Sequence, residues 1–543
     1  MNKYKISLLD TDLSAFQSTD IQKTKINIWK NDKACVKILI ENPDSKDNTI
    51  KFKIKGNDKT KNIKIFQIDY TMAYNGPMYV NGEHFSKNEV HDLSKRSKSF
   101  DVLIPKEEIH FKDRVFLWAE IITDKNIKSG IHTVDIEFLE KGAIIGEVAL
   151  EIEVFDHVLE TNNEFYDIEL WQYPYSSAEY FGLEPFSEEH FKILKKIMTI
   201  YKNIGGKAIT ATCTEDAWDK QTYSKNDIHY PSMIKWIYDG EIKYDYTDFD
   251  KWIKFTTDLG FDGKIALYGI APWHDSFTYW ENNKLIYEKF GEIERYEKLW
   301  TNFLGDLIDH LENMNILDRV YLGIDEKGFS DKFLKVLKSV KNTKGKTIKL
   351  TAAMDNFVDK WEYCILIEDL TIGDNAIYKD FDKFLDLLEI RKKYGYKTTL
   401  YSCVGHIPGN FALSEPFESY FTVINACRYT DGFLRWALDA WVENPMKDIT
   451  HIAFEPGDTS LIYPSEKDFS IYSSVRLEKM AEAVRDMNKL RECIKNKPNE
   501  VFEDIKTICY TEDGKSYMDK LEKERLKREI DEFRKKLNRI IYR

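Results

Sequence analysis

Seven cysteines in 543 residues are too few and too scattered to form a disulfide framework. Cys35, Cys213, Cys364, Cys403, Cys427, Cys493 and Cys509 are odd in number and never form a CxxC pair, so zinc is not signalled either. They read as buried free thiols of a reducing compartment. Positive charge is also short: 79 Lys and Arg stand against 92 Asp and Glu, a net charge of −13. Nucleic acid binding rests on neutralising phosphates, and the Lys and Arg residues are scattered rather than striped, so no nucleic-acid partner is expected. An anionic membrane surface is disfavoured on the same ground. No apolar run approaches the ~20 residues of a membrane span. The opening "MNKYKISLLDTDLSAF" has no long apolar run and no small-residue cleavage site, so no signal peptide and a cytoplasmic location are expected.

Catalytic signatures are missing as well. There is no GxSxG elbow and no HExxH, and the eleven histidines lack ligand spacing. A serine hydrolase and a zinc enzyme are therefore unsupported. "NIGGK" at 203–207 closes a helix rather than opening one, so Gly205 and Gly206 read as C-cap residues and not as a phosphate loop. No internal repeat and no low-complexity tract occurs.

What is present in quantity is aromatic: 14% of the chain, with 31 Tyr and 12 Trp. Part of this suits strands, which favour aromatic residues. It also suits stacking of ring faces on flat apolar ligands such as sugars. The length exceeds what one core supports and implies two or three domains. Residues 1–160 alternate apolar and polar in short runs such as "ACVKILIE", "RVFLWAEIIT" and "IHTVDIEFLE", which predicts an antiparallel β-sandwich. From about Phe165 strand-like runs alternate with helical ones. "FYDIELWQYP" precedes "SEEHFKILKKIMTIYKNIG", with Ser187 as N-cap, and six further strands with intervening helices lead to "GFLRWALDAW". Roughly eight such units predict a (β/α)8 barrel over 161–495. A doubly wound sheet would open with a glycine-rich loop, which "WQYPYSSAEYFG" is not. Residues 496–543 end in an amphipathic helix, "YMDKLEKERLKREIDEFRKKLNRIIYR".

In such barrels the active site lies where the strands exit. The expected exits carry Trp171, Gln172 and Tyr173; Thr212, Thr214 and Asp216; Trp273 and His274; Asp325 and Glu326; Asp355 and Asn356; Ser402 and His406; and Trp436, Asp439 and Trp441. Singly, each has a bland reading as a barrel or helix cap. As a set, rings beside acids and amides form the lining of a carbohydrate site.

The adjacent acids in "RVYLGIDEKGFSD" are the sharpest feature. Two carboxylates that flank a glycosidic bond stand on opposite sides of it, which neighbours on one strand do not do straightforwardly. At a strand end the backbone turns, and both can reach one pocket from the same side. That suits a substrate with a 2-acetamido group whose own carbonyl oxygen attacks the anomeric carbon. One carboxylate, Asp325, then steadies the acetamido N–H while positive charge develops, and a protonated Glu326 donates to the leaving oxygen. Mutual repulsion favours keeping one of the two protonated. The bland alternative is that either acid pairs with Lys327 and caps the next helix.

"LWQYPYSSAEYFGLEPFSEEHF", "ITATCTEDAW", "YPSMIKWIYDGEIKYDYTDFDKWI", "APWHDSFTYW", "GIDEKG", "DGFLRWALDAWVENP" and "GDTSLIYP" before "SSVRLEKM" occur in order over about 165–490. This series resembles the catalytic domain of glycoside hydrolase family 123, β-N-acetylgalactosaminidases with an N-terminal β-sandwich and a (β/α)8 barrel. The resemblance implies substrate-assisted removal of terminal β-linked GalNAc from glycan or glycolipid oligosaccharides, without metal or cofactor, by Asp325 and Glu326. Gln172, Trp273, Asn356, His406, Trp436, Trp441 and Asp458 are expected sugar contacts beside Trp171, Tyr173 and Asp355. The chain departs from the family pattern at Tyr173, where His is common, at Glu179, where Arg is common, and near Phe454, where Trp is usual. Those departures bear on the sugar rather than on the chemistry. β-GlcNAc or a modified hexosamine, and a non-catalytic glycan-binding barrel, stay open as alternatives.

Overall fold

The computed structural model describes residues 4–15, 25–56, 62–75, 79–80, 83–84, 93–160, 163–221, 230–291, 293–327, 331–342, 344–377, 380–402, 414–451, 454–494 and 520–543. Alternation folds the first part into two facing sheets. On the strand Arg114–Ile122, Val115, Leu117, Ala119 and Ile121 all point inward, and Val115 and Leu117 lie opposite Ile40 and Ile38 of Lys33–Glu41. The five-stranded partner sheet supplies Ile50, Val134, Ile136, Phe138, Leu150 and Ile152 to the same core. All pairings in the two sheets are antiparallel except one, where Ala143–Val158 runs parallel to Lys25–Lys30. A feature beyond the sequence reading is that the seven-stranded sheet gains its last two strands, Tyr463–Ser465 and Ser470–Ser474, from far along the chain, with Ser473 opposite Leu103.

The second part is a nearly closed barrel of eight parallel strands. In chain order these are Asp167–Leu170, Ile209–Thr212, Ile265–Tyr268, Val320–Asp325, Lys349–Met354, Asp369–Gly373, Lys397–Tyr401 and Gly432–Arg435. The strands read as apolar runs because both faces are covered, inside by the barrel core and outside by helices. Ser187 caps the helix Glu188–Asn203 by accepting the His190 N–H.

Ladder pairing is lost at one seam, between the first and second strands, which share a single bridge, Ile168 to Gly206. Side chains close it. Gln172 donates its amide to the carbonyls of Leu170 and Ala208 and accepts the Thr210 N–H at 3.0 Å. The Tyr201 hydroxyl lies 2.9 Å from the carbonyl oxygens of both Ile168 and Ala208. Beneath, Lys264 sits between Glu169 (2.6 Å) and Asp369 (2.8 Å), so the charges buried in the barrel floor are paired.

The terminal helix Lys520–Ile541 buries Leu526, Ile530, Phe533, Leu537 and Ile541, a stripe at helical spacing. Its Arg534 and Lys527 reach Asp12 of the sandwich region, which Lys479 of the helix Val475–Cys493 also holds at 2.7 Å. Trp29 donates its indole N–H to the Ile541 carbonyl at 2.7 Å. Among the described residues, no helix is long and apolar enough to cross a membrane.

Candidate active site

The fourth barrel strand delivers the two acids. Asp325 is its last residue, in register with Ala353, and the Glu326 N–H still bonds the Ala353 carbonyl at 3.0 Å. There the backbone leaves the strand: Glu326 has φ +51°, in the left-handed region, and the Lys327 N–H donates to the Asp325 carbonyl at 2.6 Å. A glutamate in that conformation costs roughly 1–2 kcal/mol, strain of the kind that collects at functional sites. The turn ends the alternation that would have sent the two side chains to opposite faces.

Each acid has its own neighbours. Asp325 accepts the Trp273 indole N–H at 3.3 Å, and the Trp218 indole lies close enough to favour its charged form. These indoles come from the loops after the third and second strands. Glu326 reaches across the mouth and accepts the Tyr401 hydroxyl, at the end of the seventh strand. Lys327 turns away, to Asp275 at 2.9 Å, with its ammonium 5.5 Å from the centre of the Trp273 ring. Burial among rings, and then the Glu326 carboxylate beside it, push the Asp325 carboxyl up to about 7; the two indole N–H groups oppose this. Asp325 thus gives up its proton later than an ordinary carboxyl, with the neighbouring Glu326 carboxylate one of the causes.

The floor is aromatic. Trp171 lies 4.4 Å from Tyr268 and 5.8 Å from Trp218, and Tyr173 lies 5.2 Å from Trp218, 5.5 Å from Tyr230 and 6.2 Å from Trp436. Gly323, two residues before Asp325, makes room: a Cβ there would stand 2.6 Å from the Tyr268 ring. Trp436 is partly open, lies 5.1 Å from Phe454, and is fixed by donating its indole N–H to Asp458 at 2.8 Å. Asp458 also pairs with the buried Arg435, so its carboxylate positions Trp436 from within. Two of the departures from the family pattern, Tyr173 and Phe454, thus flank one partly open ring.

Other expected contacts are spent differently. Gln172 is committed to the barrel seam. Trp441 is buried against Tyr180 at 5.3 Å and donates to the Ile462 carbonyl at 2.9 Å. Trp171 donates to Glu169 at 3.1 Å. Asn356 accepts the Val358 and Asp359 N–H groups and so caps a turn, and Asp355 is exposed beside Lys360 at 3.6 Å. His274 bonds the Glu215 carbonyl at 2.9 Å. His406 lies outside the described residues. Sequence reasoning missed Trp218 and Tyr401 as partners of the acids; each ends a quoted or strand-like run, but nothing local says how far it reaches. Asp439, whose Oδ1 accepts the Tyr173 N–H at 2.8 Å, is a buried acid pushed up to about 7 by its burial. Among the described residues no group of three or more His, Cys, Asp or Glu side chains is placed to hold a metal ion.

A β-sandwich before a parallel barrel, with paired acids over an aromatic floor at the strand exits, defines the architecture of a carbohydrate-cleaving enzyme. Residues 171–493 match the family model for the glycoside hydrolase 123 catalytic domain, and the chain belongs to that family; it is a glycosidase with a carbohydrate substrate. Among solved structures it is similar to a family 123 glycoside hydrolase from Clostridium perfringens, examined for glycolipid glycan hydrolysis, at 26% identity over 99% of both chains and a TM-score of 0.84. It shows a much weaker likeness to a family 39 glycoside hydrolase from the gut symbiont Bacteroides cellulosilyticus WH2, at 10% identity over 80% of this chain and 82% of that one, with a TM-score of 0.35. No curated protein matches the chain.

Proposed function

We propose that the enzyme is an exo-acting, retaining β-N-acetylgalactosaminidase that works by substrate assistance on glycan or glycolipid oligosaccharides. The observation that carries this reading is the unequal treatment of two adjacent acids: Asp325 accepts the Trp273 indole N–H among aromatic rings, and Glu326 accepts the Tyr401 hydroxyl. In the first step the acetamido carbonyl oxygen forms a bond to the anomeric carbon. The bond to the leaving oxygen breaks, and that oxygen takes the Glu326 proton. Asp325 accepts the acetamido N–H and offsets the positive charge of the oxazolinium ring. An N–H donated to Asp325 favours its charged form, and a charged Asp325 in turn favours a protonated Glu326 beside it, which the step needs. In the second step water attacks the anomeric carbon, Glu326 takes its proton, and the ring opens with the original β configuration restored. The partly open Trp436 offers a stacking face for the sugar.

A second reading keeps this chemistry on β-GlcNAc or a modified hexosamine, and it is favoured by Tyr173 and Phe454 on either side of Trp436. Release of one chromogenic aglycone from β-GalNAc, β-GlcNAc and the 2-hydroxy β-galactoside separates these possibilities. Turnover of β-GalNAc above the others is expected. Preference for β-GlcNAc would replace the sugar, and equal turnover of the galactoside would remove the acetamido group from the mechanism.

A further inference from the structure

Beside the mouth stands a small four-stranded sheet that the reaction described above does not use. Two hairpins form it: Lys235–Tyr238 with Ile242–Asp245, and Ser276–Glu281 with Lys284–Lys289. The first hairpin lies between the second barrel strand and its helix, the second between the third strand and its helix. Both are therefore loops of the catalytic face, rising from the third strand, which neighbours the one that bears Asp325, and from the second, one strand further round.

The two faces of this sheet differ. Trp236, Phe277 and Tyr279 share one face, where Trp236 and Phe277 pack on Trp300. Register puts Ile237, Trp280, Leu285 and Tyr287 together on the other: Ile237 pairs with Trp280, Trp280 with Leu285, and Thr278 with Tyr287. This second face remains open, with Ile237 39% and Tyr287 45% exposed. It is also rigid and joined to the site. Trp280 donates its indole N–H to the buried Glu215 at 3.0 Å, three residues before Trp218. The Tyr287 ring lies edge-on to His274 at 5.2 Å, and His274 follows Trp273, which holds Asp325.

We propose that this stripe is an aglycone subsite: it takes the second sugar ring of the substrate, the one on the reducing side of the scissile bond, by stacking its apolar face on Tyr287 and Trp280. The inference rests on the hydrolase reading above and extends it from the cleaved sugar to what it is attached to. Two partly exposed rings on one sheet face, beside an aliphatic side chain, suit a pyranose, which presents C–H groups on its faces and hydroxyls at its rim.

The test compares kcat/KM for an aryl β-GalNAc glycoside, a disaccharide with terminal β-GalNAc on a second hexose, and the same disaccharide on an alkyl chain. Tyr287→Ala and, separately, Ile237→Ala should lower the ratio of disaccharide to aryl turnover by about tenfold and threefold respectively. Tyr238→Ala, on the opposite face of the sheet, should leave the ratio where it is. An unchanged ratio in both stripe variants overturns the proposal, as does a loss confined to the alkyl-linked form, which would make the occupant a lipid chain. Failure of the wild type to cleave either the aryl glycoside or the disaccharide overturns instead the hydrolase reading on which it rests.

Discussion

Asp325 is a costly residue to place in the site. Its carboxyl titrates near 7 in the fold against 3.8 in the unfolded chain, so between those values the folded protein holds a proton the unfolded one has lost. Stability from this group is intact below about pH 4 and is lost as pH rises through 7. Asp325→Asn removes the penalty and should raise Tm by about 1–3 °C at pH 8, with no gain at pH 4, as read by thermal melts at the two values. Loss of the proton from this pair of adjacent acids should make kcat/KM of the wild type fall as pH rises above about 7. At this scale the sequence exposed the acids and the ring-rich exits, because strand alternation marks where a strand ends. It did not expose which way an exit residue turns. Gln172 and Trp441 stand at exits like their neighbours, yet one closes the seam and the other enters the core. Tyr401 meets Glu326 only because the barrel brings the seventh strand round to face the fourth.

Among elements, the seam between the first two strands is where side chains replace ladder bonds. Tyr201→Phe keeps the ring but leaves the Ile168 and Ala208 carbonyls without its hydroxyl, at a cost of about 1–3 kcal/mol in a denaturant or thermal titration. Gly206 shows how a correct local reading can miss a global reason. "NIGGK" does end a helix, and Gly205 has the left-handed φ of +92°. Gly206 is needed for a different cause: a Cβ there would lie 2.1 Å from the Tyr201 ring. All eight barrel strands, including the weak run "DLTIGD", and the longer helices between them were legible from periodicity, whereas the short helices Pro174–Phe181 and Trp361–Cys364 were not. The hairpins of the small sheet were not singled out, since short aromatic runs inside a βα loop resemble loop sequence. Nor could alternation predict that Ser470–Ser474 would leave the barrel and pair with Arg96–Pro105.

Across the whole molecule, charge and one amphipathic helix tie the ends of the chain to the barrel. Burial pushes the Asp12 carboxyl up, but Arg534, Lys479 and Lys527 together hold it far below the usual carboxylate range. Its stabilisation is therefore present above pH 4 and is lost only in strong acid. Asp12→Asn leaves these buried cations under-compensated and should cost about 3 kcal/mol or more at pH 7, a difference that shrinks below pH 3 in melts across the acid range. The terminal amphipathic stripe was legible in sequence; that it meets Asp12, more than five hundred residues earlier, was not.

The central claim is that the two acids have different jobs in one substrate-assisted step, and leaving-group dependence tests it most directly. Turnover of an alkyl β-GalNAc glycoside and of one with a highly activated aryl leaving group should be measured for the wild type, Glu326→Gln and Asp325→Asn. Glu326→Gln should lose about 10²-fold or more on the alkyl glycoside and far less on the activated one, which needs no proton. Asp325→Asn should be impaired on both, because attack by the acetamido oxygen accompanies the departure of either leaving group. The same loss on both substrates for Glu326→Gln, or an Asp325→Asn deficit that vanishes with the activated leaving group, would contradict the assignment.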